Sequence, residues 1–201
     1  SDIRISSCKS STNGLTMRLD TQEHSIVASA PIVGDFNGYN LGAVTAVCEA
    51  LELKPDVIRK GIESVGAVPG RMEMIRSSAG FTVVVDYAHA PDALEKALQA
   101  LRTTSKGKIS VVFGATGDRD TTKRPLMGKV ASENADLIYL TDDETYTESP
   151  KQIREAVLKG IVDVGGKAKT TEISDRRQAI TKAIQSAGKG DMILVAGLGH
   201  Q

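Results

Sequence analysis

The residues best equipped for chemistry in this 201-residue chain stand where apolar runs stop. Val83-Val84-Val85 gives way at once to Asp86-Tyr87-Ala88-His89-Ala90-Pro91-Asp92. The β-branched run reads as a strand covered on both faces, and Pro91 suits the first turn of a helix, where its missing N–H would have no partner. Asp86, at the strand's carboxyl edge, can accept hydrogen bonds from ribose hydroxyls, and the ring of Tyr87 or His89 can lie against a sugar or base. The competing reading is an Asp that caps its own helix. Three further runs, 108–113, 136–141 and 192–196, end in the same way, in Gly114-Ala115-Thr116-Gly117-Asp118-Arg119-Asp120, Asp142-Asp143-Glu144-Thr145-Tyr146 and Gly197-Leu198-Gly199-His200. In a parallel sheet these tips land on one edge, which predicts a ligand crevice. Within it Arg119, flanked and oriented by two Asp residues, could grip a carboxylate or phosphate bidentately, with Lys123 and Arg124 adding positive charge. The alternative for Lys123 and Arg124 is a salt-bridged surface loop.

The elements that must position these tips follow from the periodicity. From Gly70 onward strands at 72–76, 82–86, 108–113, 136–141, 168–172 and 192–196 alternate with helices at 91–101, 125–133, 149–164 and 174–187. Connections this short predict an α/β fold, a mostly parallel sheet with helices on both faces. Residues 1–33 differ: alternating segments at 15–19 and 25–30, with the turn signal Asn13-Gly14, read as β-hairpin material. Their strand-like start suggests the tail of a larger domain that begins upstream. A helix then opens at Gly34 with Leu41, Val44, Thr45, Val47, Cys48 and Leu51 on one stripe. Asn37 and Asn40, three residues apart, share one face of its first turn, and an amide offers the donor and acceptor that complement an adenine edge. Taken alone, Asn40 reads first as an ordinary turn or cap residue. A second helix runs from Pro55 to about Ser64, and Gly66, Pro69 and Gly70 mark a linker, so domains are expected at 1–68 and 69–201.

Composition excludes several classes. Lys plus Arg and Asp plus Glu both total 25 and no block of like charge occurs, so there is no footprint for nucleic acid or an anionic membrane. The 3% aromatic fraction and the absence of Trp also argue against base-stacking platforms for single-stranded nucleic acid. No apolar run approaches the ~20 residues of a membrane span and no signal-peptide pattern occurs, so a cytoplasmic location is expected. Cys8 and Cys48 are far apart without a neighbouring His or Cys, and read as ordinary thiols rather than a zinc site or disulfide. Neither G-x-x-x-x-G-K-[ST] nor a strand-borne G-x-G-x-x-G is present, which argues against a nicotinamide dehydrogenase. No Ser or Cys nucleophile has a His partner, and three His make a zinc hydrolase site improbable.

Taken together, Gly34-x-Phe36-Asn37-x-x-Asn40, Pro69-Gly70-Arg71-Met72-Glu73, Asp86-Tyr87-Ala88-His89-x-Pro91-Asp92, Gly117-Asp118-Arg119-Asp120 with Lys123-Arg124-Pro125-Leu126-Met127-Gly128, Thr141-Asp142-Asp143 and Gly197-x-Gly199-His200 resemble the Mur ligase family, most closely its UDP-N-acetylmuramoyl-tripeptide synthetases. The resemblance implies the end of a central ATPase domain, a hairpin plus helices, followed by a whole carboxyl-terminal Rossmann-like domain. It implies an ADP-forming ligase of peptidoglycan precursor synthesis that makes an acyl-phosphate from ATP and joins an amino acid, a diamino acid, to UDP-N-acetylmuramoyl-dipeptide. By the same resemblance Asn37 and Asn40 face the adenine, Arg71 and Asp86 reach the nucleotide's phosphate and ribose side, and Tyr87 and His89 line that cleft. Arg119, Asp143, Glu144, Tyr146, Gly197 and Gln201 fall where the family holds the incoming amino acid.

ATP and Mg2+ are the implied cofactors, a UDP-linked muramoyl peptide and a free amino acid the implied partners, and a monomer is expected. The phosphate loop, the magnesium ligands, the modified lysine and the uridine-binding domain would belong to sequence outside these 201 residues, so the piece alone is expected not to catalyse ligation. Two departures stand out. Family members that add meso-diaminopimelate carry D-N-P-R where this chain has Asp143-Glu144-Thr145-Tyr146, so a distal carboxylate loses its Arg and Glu144 would instead suit a distal ammonium such as that of lysine. The family's G-K-G-H-E is Gly197-Leu198-Gly199-His200-Gln201 here. Competing readings are a folylpolyglutamate or cyanophycin synthetase-like ligase and a non-catalytic nucleotide-binding domain.

Overall fold

Burial at every second position makes the amino-terminal segment sheet rather than helix. The computed structural model of the protein describes residues 3–11, 14–66 and 68–199, without the side chain of Ala168. The chain divides into two units, Ser1–Val68 and Pro69–Gln201. In the first, β1 (Arg4–Ser11), β2 (Gly14–Asp20) and β3 (Ser25–Ala30) pair antiparallel in the order β1-β2-β3, one strand more than a hairpin. Asn13 of the expected turn lies outside the described residues. Leu15, Met17 and Leu19 of β2 and Ile26, Ala28 and Ala30 of β3 form a core with Leu41 of α1 (Phe36–Ala50) and Ile58 and Ile62 of α2 (Pro55–Ser64).

The helical stripe expected on α1 is only partly the buried one. Gly38, Leu41, Gly42 and Thr45 face the core, whereas Val44, Val47 and Leu51 are 51%, 60% and 68% exposed. A helix apolar all round offers more than one candidate stripe, and packing chose the one with glycines. A Cβ on Gly38 would come within 2.8 Å of Cys8 Sγ, so the bare backbone is what lets β1 approach. Tyr39, Gly42, Ala43 and Ala46 of α1 line a groove of about 960 Å³ together with Ile3 and Ile5.

In the second unit β4 (Glu73–Arg76) runs antiparallel to β5 (Thr82–Asp86). β6 (Ile109–Phe113), β7 (Leu137–Leu140), β8 (Thr170–Glu172) and β9 (Met192–Ala196) continue the sheet in parallel, in the order β4-β5-β9-β6-β7-β8. β6 and β9, at the centre, are buried at every position. β5 is not covered on both faces as expected: only Val84 is fully buried, because the short β4 leaves it next to the sheet's edge. The helices are α3 (Pro91–Thr104), α4 (Lys123–Asn134), α5 (Pro150–Asp163) and α6 (Arg176–Ser186). Ala179 and Ala183 of α6 pack on Val112, Tyr139, Ile193 and Val195. α3 covers β6 and β9 from the opposite face with the fully buried Leu94, Leu98 and Leu101.

Several boundaries moved: α3 runs three residues past Leu101 to Thr104, and α6 begins two residues after Ser174. α4 begins two residues before Pro125, which the first helical turn tolerates. The strand expected from 168 is a 3-10 turn over Gly166–Lys169 and then the three residues of β8. Lys169 Nζ is drawn into that turn by the carbonyls of Ser132 and Ala135, at 2.5 and 2.7 Å. Among the described residues no helix is long and apolar enough to cross a membrane.

Candidate functional site

Because β5, β9, β6 and β7 are parallel neighbours, the segments leaving their carboxyl ends meet, and a pocket of about 330 Å³ lies between them. Tyr87 and His89 follow β5, Thr116, Arg119 and Lys123 follow β6, Asp143, Glu144 and Tyr146 follow β7, and Gly197 and Leu198 follow β9. The larger groove of the first unit gathers no such strand ends, so the chemistry is assigned to this smaller pocket.

On the β5 side, Asp86 works first as a latch. Its Oδ1 accepts the Ala88 N–H at 2.9 Å and its Oδ2 the Met72 N–H at 2.8 Å, fixing Met72 at φ +47°. Burial pushes the Asp86 carboxyl up from its ordinary value, with those two amides and the Arg71 charge pulling the other way. It does not cap the following helix, whose N-cap is Ala90. The Arg71 guanidinium sits 4.5 Å over the Tyr87 ring, and His89 meets that ring edge-on at 4.7 Å. The stack of cation and rings is a surface on which a sugar or base can rest. Asn37 and Asn40 belong to the first unit. There the Asn37 amide donates to the Val33 carbonyl at 2.8 Å and Asn40 donates to Asn37 Oδ1 at 2.9 Å.

The cationic side differs from expectation in two respects. Asp118 and Asp120 do not orient Arg119: Asp118 accepts from Thr147 Oγ1 and Asp120 from Thr122 Oγ1, at 2.7 and 2.6 Å. Arg124 is not free positive charge near the pocket. It is buried and forks onto Glu148, 2.8 Å from Oε2 and 2.7 Å from Oε1, which holds the Glu148 carboxyl below its ordinary value. Glu148 Oε1 also accepts the Asp118 N–H at 2.6 Å, so this pair staples the β6 loop to the β7 loop. A second staple is the Gly117 N–H on the Glu144 carbonyl at 2.8 Å. Exposed Arg119 and half-buried Lys123 are the pocket's cations.

The opposite wall is anionic. Glu144 accepts the Tyr146 hydroxyl at 2.6 Å, which, with its charge, pushes the phenol up from its ordinary value while Arg119 pulls it back. Tyr146 holds this position at φ +47°, uncommon for a bulky residue. The Asp143 side chain is 3% exposed; its Oδ1 accepts the Glu144 N–H at 2.8 Å and its Oδ2 lies 4.0 Å from Arg176 Nη1. Gly197, at φ +116°, closes the floor: its N–H reaches the Asp86 carbonyl at 3.1 Å, and a Cβ there would stand 2.7 Å from Asp143 Oδ2. His200 and Gln201 lie outside the described residues.

Sequence reading missed Arg176 and Glu148, which hold the pocket from behind, because nothing local marks a residue whose partner is 24 or 33 positions away. Among the described residues no group of three or more His, Cys, Asp or Glu is placed to hold a metal, so no magnesium site is derived from this chain.

The family model described as Mur ligase, glutamate ligase domain matches residues 70–199. The chain is 42% identical over 200 residues to the UDP-N-acetylmuramoyl-L-alanyl-D-glutamate--2,6-diaminopimelate ligase of Aquifex aeolicus (strain VF5), covering 100% of this chain and 40% of that protein. A solved structure of a ligase of that name is 36% identical with a TM-score of 0.65, over 100% of this chain and 40% of its own. The ADP complex of Mycobacterium tuberculosis folylpolyglutamate synthase, at 19% identity and a TM-score of 0.78 over 98% of this chain and 45% of its own, shares the fold. The chain thus spans about 40% of the length of the curated relatives it matches. With the fold, the strand-end pocket and a family match over most of its length in agreement, this chain belongs to the Mur ligase family.

Proposed function

We propose that the chain is the carboxyl-terminal part of an ATP-dependent, ADP-forming ligase that adds an amino acid, a diamino acid, to UDP-N-acetylmuramoyl-dipeptide in peptidoglycan precursor synthesis. The observation that carries this reading is the pocket at the sheet's carboxyl edge, which sets Arg119 and Lys123 against Glu144 in about 330 Å³, a volume suited to a small zwitterion. An amino acid's carboxylate matches the guanidinium, and an ammonium matches Glu144. Asp143, Tyr146, Gly197 and Gln201 complete the amino-acid side in this reading. Arg71, Asp86, Tyr87 and His89 serve the nucleotide, with the ring stack against its sugar side, and Asn37 and Asn40 serve the adenine. The names of the relatives, which are 42% and 40% identical to this chain over 200 and 201 residues, support the reaction class.

The rest of the ligase would supply the phosphate loop and the ligands of magnesium, so the 201 residues alone do not ligate. The reading includes a cytoplasmic monomer. Its test is ATP-dependent ligation by the full-length parent, followed as ADP release with UDP-N-acetylmuramoyl-dipeptide and a panel of lysine, diaminopimelate, ornithine and glutamate. Turnover with a diamino acid supports it. Turnover with diaminopimelate alone refutes the role given to Glu144, and turnover with none of the four refutes the reading.

A further inference from the structure

A buried guanidinium stands directly behind the pocket, between two of the strand ends that form its wall. Arg176, the first residue of α6, has a side chain only 16% exposed. Its Nη2 donates to the Ala196 carbonyl, the last residue of β9, at 2.6 Å. Its Nη1 is fully buried, has no hydrogen-bond partner, and stands 4.0 Å from Asp143 Oδ2. Asp143 in turn packs against Gly197, and both line the pocket while Arg176 does not. Burial pushes the Arg176 guanidinium down from its ordinary value and Asp143 opposes this, the signature of a cation kept in a dry place by one carboxylate.

Keeping a cation there is costly unless it does something that a packed apolar side chain could not. Its two arms reach two chain segments that are separate strand ends, the β9 terminus and the β7 loop, and these make adjoining parts of the pocket wall. We infer that Arg176 is a positioning residue of the amino-acid site: it aims the Asp143 carboxylate and fixes the Ala196-Gly197 turn, without touching substrate itself. The assignment rests on the amino-acid pocket proposed above. Sequence adjacency hides it, because Asp175 before it is simply the N-cap of α6, accepting the Gln178 N–H at 2.7 Å.

The test compares Arg176→Met, Arg176→Lys, Asp143→Asn and the Arg176→Met/Asp143→Asn double variant in the full-length ligase. Arg176→Met should raise the KM of the amino acid about tenfold or more, the size of a lost charged hydrogen-bond arrangement, with the KM of ATP unchanged. Arg176→Lys should recover part of the loss, since charge returns but the two-armed span does not. In the double variant the second change should add little to the first, because both break one linkage. An unchanged amino-acid KM, equal rises for ATP and amino acid, or full additivity overturns the inference. Should Arg176→Met not fold, Arg176→Lys carries the same comparisons. Should the wild-type ligase accept no amino acid, the functional reading fails, and amide exchange in the full-length protein decides the linkage separately. Arg176→Lys must then deprotect the Gly197 and Glu144 N–H groups while β6 stays protected, and unchanged protection of those two overturns the inference.

Discussion

Gly117→Ala tests whether the pocket depends on two loops lying closer than a methyl group allows. Gly117 is buried, and its backbone is not in the left-handed region, so an alanine there meets no φ strain and the effect isolates sterics. The new Cβ would stand 2.6 Å from the Thr145 carbonyl carbon and nearer still to its oxygen. Ordinary contact begins near 3.4 Å, so the β6 and β7 loops must part by about 1 Å. That movement breaks the 2.8 Å bond from the Gly117 N–H to the Glu144 carbonyl, costing about 1 kcal/mol. Overpacking adds about 1–3 kcal/mol, and exposed loops that can yield favour the lower end, for a total of about 2 kcal/mol. For a unit of this size the unfolding midpoint should fall by about 4–8 °C in calorimetry. In the parent ligase a rim displaced by about 1 Å carries Arg119 away from Glu144, and kcat/KM for the amino acid should fall by up to about 100-fold. A midpoint within about 1 °C of wild type together with an unchanged amino-acid KM would show that the loop contact is not what shapes the pocket.

Glycines within helices give a pair of opposite signs. Gly160→Ala should destabilise by about 1–3 kcal/mol, because its Cβ would lie 2.6 Å from the Pro125 carbonyl carbon where α5 meets α4, outweighing the propensity gain of about 1 kcal/mol. Gly61→Ala in α2, with nothing within 4 Å, should stabilise by about 0.5–1 kcal/mol, and urea titration of both reads the signs directly. Asp86→Ala leaves the Met72 and Ala88 N–H groups without their acceptor and should cost about 2–3 kcal/mol in the same assay; a change under about 0.5 kcal/mol would remove the latch from the account. Asp20 is held at about 2, first by the hydrogen bond from Ser25 and then by those from Ser6 and Arg18. Its folded value is depressed, so its contribution to stability is present above the ordinary value of 3.8 and is lost as pH falls toward about 2. Carboxyl carbon NMR should follow that titration, and Ser25→Ala should move it upward.

The sequence by itself determined the alternation of strands and helices in the second unit and the fact that four strand ends would be polar or glycine-rich. Both are local: period-2 and period-3.6 burial and the residues that stop a strand act over a few positions. Parallel pairing then places the tips of β5, β6, β7 and β9 on one edge, which the short connections already required. Only the tertiary structure decided what each charged side chain does there. Arg124 and Arg119 are five residues apart in one motif, yet the first is buried on Glu148 and the second faces the pocket. Arg176 carries no motif and reaches the pocket wall from behind, while α1 buries its glycines and leaves Val44, Val47 and Leu51 outside. Pattern sets which way a backbone runs, because that depends on neighbours along the chain. The partner of a long charged side chain depends on which distant segments packing brings within about 4 Å, and no local periodicity encodes that distance.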